Sequence, residues 1–197
     1  MSTSRLEAFS DGVFAIAATL LVLELHVPTV GSGPLLALLV EQWPSYAAYV
    51  VSFLTIGIIW VNHHAMFTLV RRVDRPLLFL NLLLLLVIGV IPFPTAVVGA
   101  WITDAQDAPV AAALLGGVFL IMGLAFAGIW LYAVSHHDLA LESLQPAVAR
   151  SAIPRFTIGN VAYLVGIGVA VVSPLLSLLI YGVVAVYYVF PTLPRAD

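Results

Sequence analysis

The chain has no cysteine and no lysine, and charged residues make up only 9% of its 197 positions. Each scarcity excludes something. Without cysteine there are neither disulfides nor thiolate metal sites, so nothing about the redox compartment follows. An ordinary soluble domain carries about 25% charged residues, far more than are present here. A net charge of −3 and a pI near 5.9 leave no basic face for nucleic acid. Also missing are a Walker loop, a dinucleotide glycine fingerprint, an HExxH helix and a GxSxG elbow; no enzyme class is indicated, and no cofactor or metal ion is expected. What is there is 62% hydrophobic with a mean hydropathy of +1.13, the composition of a chain that resides in a lipid bilayer.

A hydrocarbon core ~30 Å thick takes about 20 apolar residues of helix to cross. Six segments qualify, approximately 8–27, 44–68, 76–101, 109–134, 153–173 and 174–192. They are separated by Pro28 to Pro34, by Arg71 to Arg75, by Asp104 to Pro109, by the polar run from Ser135 to Arg155, and by Ser173-Pro174. The last break is the weakest, because 153–192 could also run as one long bent helix. A signal peptide is a poor reading of the first segment, which holds Asp11 and Glu24 and has no small-residue cleavage site before Pro28.

Arginine placement tests the count independently. With the N-terminus inside, six crossings put Arg5, Arg71, Arg72, Arg75, Arg150, Arg155 and Arg195 on the cytoplasmic side and no basic residue outside, where Glu41, Asp104 and Asp107 lie. A miscount by one helix would destroy that split. The expected fold is an all-α integral membrane protein, a single six-helix transmembrane domain over 1–197 with both termini cytoplasmic. Its loops are short, so function is expected within the membrane.

The first segment, Arg5 to Leu25, carries Ser10 and Asp11 just inside its cytoplasmic end. A carboxylate in hydrocarbon is costly unless it is partnered or wetted. At 1.5 Å per residue, Ser10, Asp11, Asn62, His63, His64 and Asn81 share a level ~6–9 Å above the cytoplasmic surface, where they can satisfy one another. At 100° per residue, Gly12, Ile16, Thr19, Leu20 and Leu23 fall in a ~100° stripe, and Asp11 projects ~140° from its centre beside Ala15, Ala18 and Val22. Small residues on the Asp11 side suit close packing against neighbouring helices. The other stripe is apolar with one hydroxyl, and angle alone would let it face lipid.

Other features read more plainly. Thr29-Val30-Gly31-Ser32-Gly33 echoes the T-V-G-Y-G carbonyl filter, but no pore helix precedes it, and a glycine-rich external turn is the better reading. His63 and His64 are adjacent and project ~100° apart, poor geometry for one metal ion, so hydrogen bonding is expected of them. His136, His137 and Asp138 form a second cluster at the polar end of the fourth segment, an interfacial position. Glu24 and His26 are expected in an outer vestibule, and Trp43, Tyr46, Trp101, Trp130, Tyr187 and Tyr188 as belt or packing aromatics.

The motif R-x-x-x-F-S-D at Arg5, Phe9, Ser10 and Asp11, followed by Ile16, Thr19 and an L-x-x-L-E-L ending, resembles the first-helix signature of the transmembrane protein 175 potassium channels. The W-x-x-H-H of Trp60, His63 and His64 and the run from Asn81 to P-F-x-T at Thr95 also suit that family. The resemblance implies a bacterial member with one six-helix unit, where the lysosomal animal members have two. It further implies a homotetramer in the bacterial inner membrane, permeable to potassium, with four copies of helix one around a pore that lacks the carbonyl filter. Ile16 then corresponds to the isoleucine constriction, Leu20 and Leu23 to further apolar layers, and Thr19 to the threonine layer. Arg5, Phe9, Ser10 and Asp11 correspond to the motif that braces helix one, with Trp60, His63, His64 and Asn81 as the supporting polar network. Other monovalent cations or protons are further candidate ions. A proton-coupled transporter or proton pathway through Asp11, His63 and His64 is the alternative, although no inverted repeats or paired broken helices are evident.

The topology is directly testable. A cysteine in place of Gly33 is expected to react with a membrane-impermeant thiol reagent applied from outside, and labelling from the cytoplasmic side alone would overturn the orientation.

Overall fold

In hydrocarbon every backbone N–H and C=O must find a partner within the protein, which makes long apolar runs helical. The computed structural model describes residues 3–136, 139–141, 151 and 153–190, and among them every regular element is helical apart from one isolated bridge. Helix α1 covers Thr3–Leu20 and tightens into a 3-10 turn at Leu21–Glu24. It is followed by α2 (Leu35–Glu41), α3 (Trp43–Phe67), α4 (Arg75–Val90), α5 (Pro92–Trp101), α6 (Ala108–Ser135), α7 (Ile153–Ala170) and α8 (Pro174–Tyr187). Among the described residues, five helical stretches are long and apolar enough to cross a membrane: α1 with its 3-10 turn, α3, α4 with α5, α6 and α7. The apolar α8 has 14 residues, a length of ~21 Å at 1.5 Å per residue.

The structure departs from the sequence expectation in definite places. The third segment is two helices, because Pro92 has no N–H to donate and its ring crowds the preceding turn at Ile91. The fifth and sixth segments are separate, as the Ser173-Pro174 break led one to expect: the extended Ser173 accepts from Leu176 N at 3.4 Å and Pro174 takes the first helical position. The sixth stops near Tyr188, two residues before Pro191 would disfavour helix at Phe190. The short α2 was not anticipated, since seven residues are too few to show a period. Gly31 and Gly33 turn the chain with φ of 91° and 147°, conformations that suit glycine. Among residues named from sequence, His137, Asp138, Arg150 and Arg195 lie outside the described residues, as do 191–192 of the sixth segment.

On the side assigned to the cytoplasm, two loops are tied together. Arg71 N donates to Leu139 O at 2.7 Å and Leu141 N to Leu69 O at 3.0 Å, around an antiparallel bridge between Val70 and Ala140. Asp74 Oδ1 caps α4 by accepting from Leu77 N, while Oδ2 accepts from the Tyr132 hydroxyl at the end of α6. At the opposite end, Asp104 accepts from the Gln106 and Asp107 amides, which hold its carboxyl below the usual carboxylate range.

Helix α6 is the post of the bundle, packed against α4, α5, α7 and α8. Lipid tails are as apolar as leucine, so close van der Waals fit rather than water exclusion holds such helices together. The fit here is tyrosine into glycine. Tyr181 of α8 lies in a slot formed by Gly116 of α6 and Gly166 of α7, and its hydroxyl donates to Ala112 O at 3.2 Å. Ser177 donates to Gly166 O at 2.8 Å, and Tyr188 rests on Gly159 and donates to Arg155 O at 2.7 Å. A methyl group at Gly116 would overlap the Tyr181 ring, whereas one at Gly117 would meet nothing within 4 Å. Gly116→Ala is therefore expected to cost ~1–3 kcal/mol by overpacking, seen as a lowered thermal unfolding midpoint in detergent, with Gly117→Ala close to unchanged.

Candidate functional site

Helix α1 lies at the edge of the bundle against α3 and α4. Its buried face is Leu6, Ser10, Phe14 and Ala17, continued by Leu21 of the 3-10 turn. This is a third face, distinct from the two read off the helical angle: Gly12, Ile16, Thr19 and Leu20 are exposed, and so are Asp11, Ala15 and Val22. Ile16 is 61% exposed, Leu20 42% and Leu23 68%, values that leave large aliphatic side chains without cover from the rest of the chain. The 3-10 turn eclipses side chains three apart, which stacks Leu23 over Leu20 along the axis.

Thr19 contributes the hydroxyl on that stripe. Its Oγ1 lies 2.9 Å from Ala15 O and 3.0 Å from Ile16 O, so its proton is committed to the helix's own carbonyls. The lone pairs are left over. A hydroxyl in that state serves its surroundings as an acceptor, the role a cation needs.

The buried face of α1 is fastened by a directional chain. Asn81 Oδ1, an acceptor, lies 2.8 Å from His63 Nε2, which assigns the imidazole proton to Nε2. Asn81 Nδ2 donates to Ser10 Oγ at 3.0 Å, and Ser10 donates to Leu6 O at 2.9 Å. His63, Asn81 and Ser10 are all buried, and the imidazole is packed by Phe14 and Phe67 with ring centroids at 5.4 and 4.6 Å. The chain ends on a backbone carbonyl, which accepts a hydrogen bond but does not pass a proton on. Such geometry fastens α3, α4 and α1 together.

A second pair of contacts runs along the exposed edge between α1 and α3. Trp60 Nε1 donates to Asp11 Oδ1 at 2.8 Å, and one turn nearer the N-terminus of α1 His64 Nδ1 lies 3.2 Å from Glu7 Oε2. Asp11 and Glu7 are four apart, as are Trp60 and His64, so antiparallel helices in one register pair them as two rungs. Asp11 thus meets Trp60, and His64 meets Glu7, which was not among the residues singled out from sequence. The i, i+4 spacing common to both helices was the signal that could have revealed it. Asn62 faces elsewhere, with Nδ2 donating to Ile58 O and Tyr188 O. Arg5 and Phe9 of the motif are exposed.

Farther out, Thr95 donates to Ile91 O at 2.8 Å, which leaves its oxygen to accept from Ser52 at 2.7 Å. That buried pair ties α5 to α3 just beyond the Pro92 kink. No group of three or more His, Cys, Asp or Glu able to hold a metal ion occurs among the described residues.

Known proteins resemble this arrangement closely. The family model described as endosomal/lysosomal potassium channel TMEM175 matches residues 5–92, which hold most of α1, all of α2, α3 and α4, and the α1 contacts described above. A potassium channel of Streptomyces collinus is 47% identical over 193 residues, covering 98% of this chain and 94% of that protein. The crystal structure of a lysosomal potassium-selective channel TMEM175 homolog from Chamaesiphon minutus matches with a TM-score of 0.85 at 38% identity, covering 96% of this chain and 97% of that one. The endosomal/lysosomal proton channel TMEM175 of Bos taurus is 33% identical over 156 residues, which are 75% of this chain and 32% of that protein. Near-full-length identity of this order, joined to the same helical architecture, establishes that the chain is a multi-pass membrane protein belonging to the TMEM175 family of ion channels.

Proposed function

We propose that the protein is the subunit of a potassium-permeable cation channel of the bacterial inner membrane, a homotetramer in which α1 lines the pore. The observation that carries this reading is the exposed line of Ile16, Thr19, Leu20 and Leu23 on a helix whose other side is bonded into the bundle. Four copies about one axis give that line a common interior, and cyclic symmetry does so with a single type of subunit contact. The Streptomyces collinus relative, a potassium channel by name, and the potassium-selective Chamaesiphon minutus homolog support the choice of ion.

In this reading the whole chain is one six-helix channel domain with cytoplasmic termini, and α8 is the sixth crossing. Its ~21 Å is short for the bilayer, a mismatch taken up by local thinning and the residues flanking it. Ile16 forms the inner constriction, where four aliphatic side chains exclude water and an ion meets a dehydration barrier. Thr19, with its proton spent on the helix, offers four oxygens that replace part of the lost hydration, and Leu20 and Leu23 add apolar layers toward the outside. Phe9, Asp11, Trp60 and His64, all exposed on one subunit, fall where neighbouring subunits abut, and Arg5 sits at the cytoplasmic mouth. Protons are the second candidate ion, favoured by the proton-channel name of the bovine relative. A reversal potential that follows a pH gradient rather than a potassium gradient would select them.

Planar-bilayer recording of the purified protein separates pore from brace. Ile16→Asn is expected to raise unitary conductance. Thr19→Val removes all four ring oxygens, and with a net difference of ~1 kcal/mol across the ring between the two ions the potassium to sodium permeability ratio should change by about fivefold. Unchanged currents in both variants and in Leu23→Asn would remove α1 from the conduction path. Asp11→Ala strands Trp60 Nε1 at a cost of ~1–3 kcal/mol, so tetramer yield on native mass spectrometry should fall while ion preference in the surviving channels is kept.

A further inference from the structure

Helix α4 has a side that the channel reading does not use. At 100° per residue Arg75, Phe79, Leu82, Leu83, Leu86 and Val90 fall within a ~100° stripe, and all six are exposed. Leu77, Asn81, Leu84 and Ile88, which pack α4 into the bundle, are buried on the opposite side. Every member of the stripe is apolar except Arg75, which stands at the end assigned to the cytoplasm.

The Arg75 side chain is held in place. Its guanidinium carbon lies 5.8 Å from the centroid of the Phe79 ring, one turn farther along the helix. It has no hydrogen bond or ion pair among the described residues, so its fork of N–H donors is unspent. The neighbouring carboxylate is committed elsewhere, because Asp74 accepts from Leu77 N through Oδ1 and from the Tyr132 hydroxyl through Oδ2. Arg71 and Arg72 are exposed just ahead of it, so residues 71–75 carry three arginines against one aspartate. The rise from Arg75 to Leu86 is ~16 Å at 1.5 Å per residue, about half of the ~30 Å hydrocarbon core. A cation at the membrane boundary thus heads an apolar track one leaflet deep, a match for a molecule with an anionic head and an acyl tail.

We propose that this stripe is a binding site for an anionic phospholipid of the cytoplasmic leaflet, with the lipid phosphate on Arg75 and an acyl chain along Phe79, Leu82, Leu83 and Leu86. Arginine suits the phosphate because its planar fork meets two oxygens at once, while the Phe79 face orients that plane. Arg71 and Arg72 add positive potential at the same level, which favours an anionic headgroup over a zwitterionic one. The inference rests on residence in the membrane and on the orientation given by the arginines, and it depends on neither the tetramer nor the pore.

Native mass spectrometry of the purified full chain, mixed with phosphatidylglycerol and phosphatidylcholine of identical acyl chains, tests this. More phosphatidylglycerol than phosphatidylcholine is expected to stay bound. Arg75→Gln should lower phosphatidylglycerol retention about fivefold, as the loss of one arginine at a lipid surface does, and leave phosphatidylcholine retention as it was. Excess inorganic phosphate should not displace the lipid, because it has no tail to lie on the stripe. A benzoylphenylalanine in place of Leu83 should crosslink to lipid on irradiation. Equal retention of the two lipids would overturn the proposal, as would phosphatidylglycerol retention unchanged in Arg75→Gln or displacement by inorganic phosphate. A crosslink from position 83 to a second copy of the chain would overturn it too, by assigning the stripe to a contact between subunits. The comparison of the two lipids requires no variant, so it decides the matter even where a variant fails to fold.

Discussion

The hydrogen-bonded chain from His63 through Asn81 and Ser10 to Leu6 O is the constraint on which the placement of α1 depends. Polar atoms buried in a membrane protein must be bonded, and each of these has its partner on a different helix or on a different turn of the same one. Rotating α1 about its axis would break the Asn81–Ser10 bond and strand the Asn81 Nδ2 donor. Because Ser10 fixes which face of α1 turns inward, it also fixes which residues turn outward. The exposure of Ile16, Thr19, Leu20 and Leu23 is thus a consequence of polar bonding on the opposite side.

The rest of the bundle supplies a rigid backing for that helix. Glycines at Gly116, Gly159 and Gly166 admit Tyr181 and Tyr188 to close range, and the tyrosine hydroxyls find backbone carbonyls at the bottom of their slots. The Pro92 kink ends α4, and the Ser52–Thr95 pair then locks α5 back onto α3. Steric fit and obligatory hydrogen bonding do the work that water exclusion does in a soluble core. In the proposed channel this matters because a constriction made of four aliphatic side chains tolerates little movement of the helices that carry them.

Thr19 shows how local bonding sets chemical character. An unbonded threonine could present either a donor or an acceptor to its surroundings, and only the acceptor suits a cation. With its proton held by Ala15 and Ile16 carbonyls, the hydroxyl is polarised toward the acceptor role without any partner outside α1. The 3-10 turn that follows adds a second local effect, bringing Leu23 into line with Leu20.

The sequence by itself determined the solvent in which the chain folds, the all-helical character that solvent imposes, and the short list of polar residues that had to meet. These follow from local quantities: hydropathy over about 20 residues, helix-breaking residues, and depth counted at a fixed rise per residue. Asn81, His63 and Ser10 were legible as a group for that reason, and the motif on α1 pointed to the family. Tertiary structure alone decided the partners. Asp11 bonds Trp60 rather than a histidine, His64 takes Glu7, Asn62 turns to the end of α8, and α1 buries a face that helical angle did not single out. Depth gives one coordinate of a side chain and angle gives another only relative to its own helix. The rotation of each helix against its neighbours is set by packing and by the joint satisfaction of every buried polar atom, a condition on the whole bundle that no single segment carries.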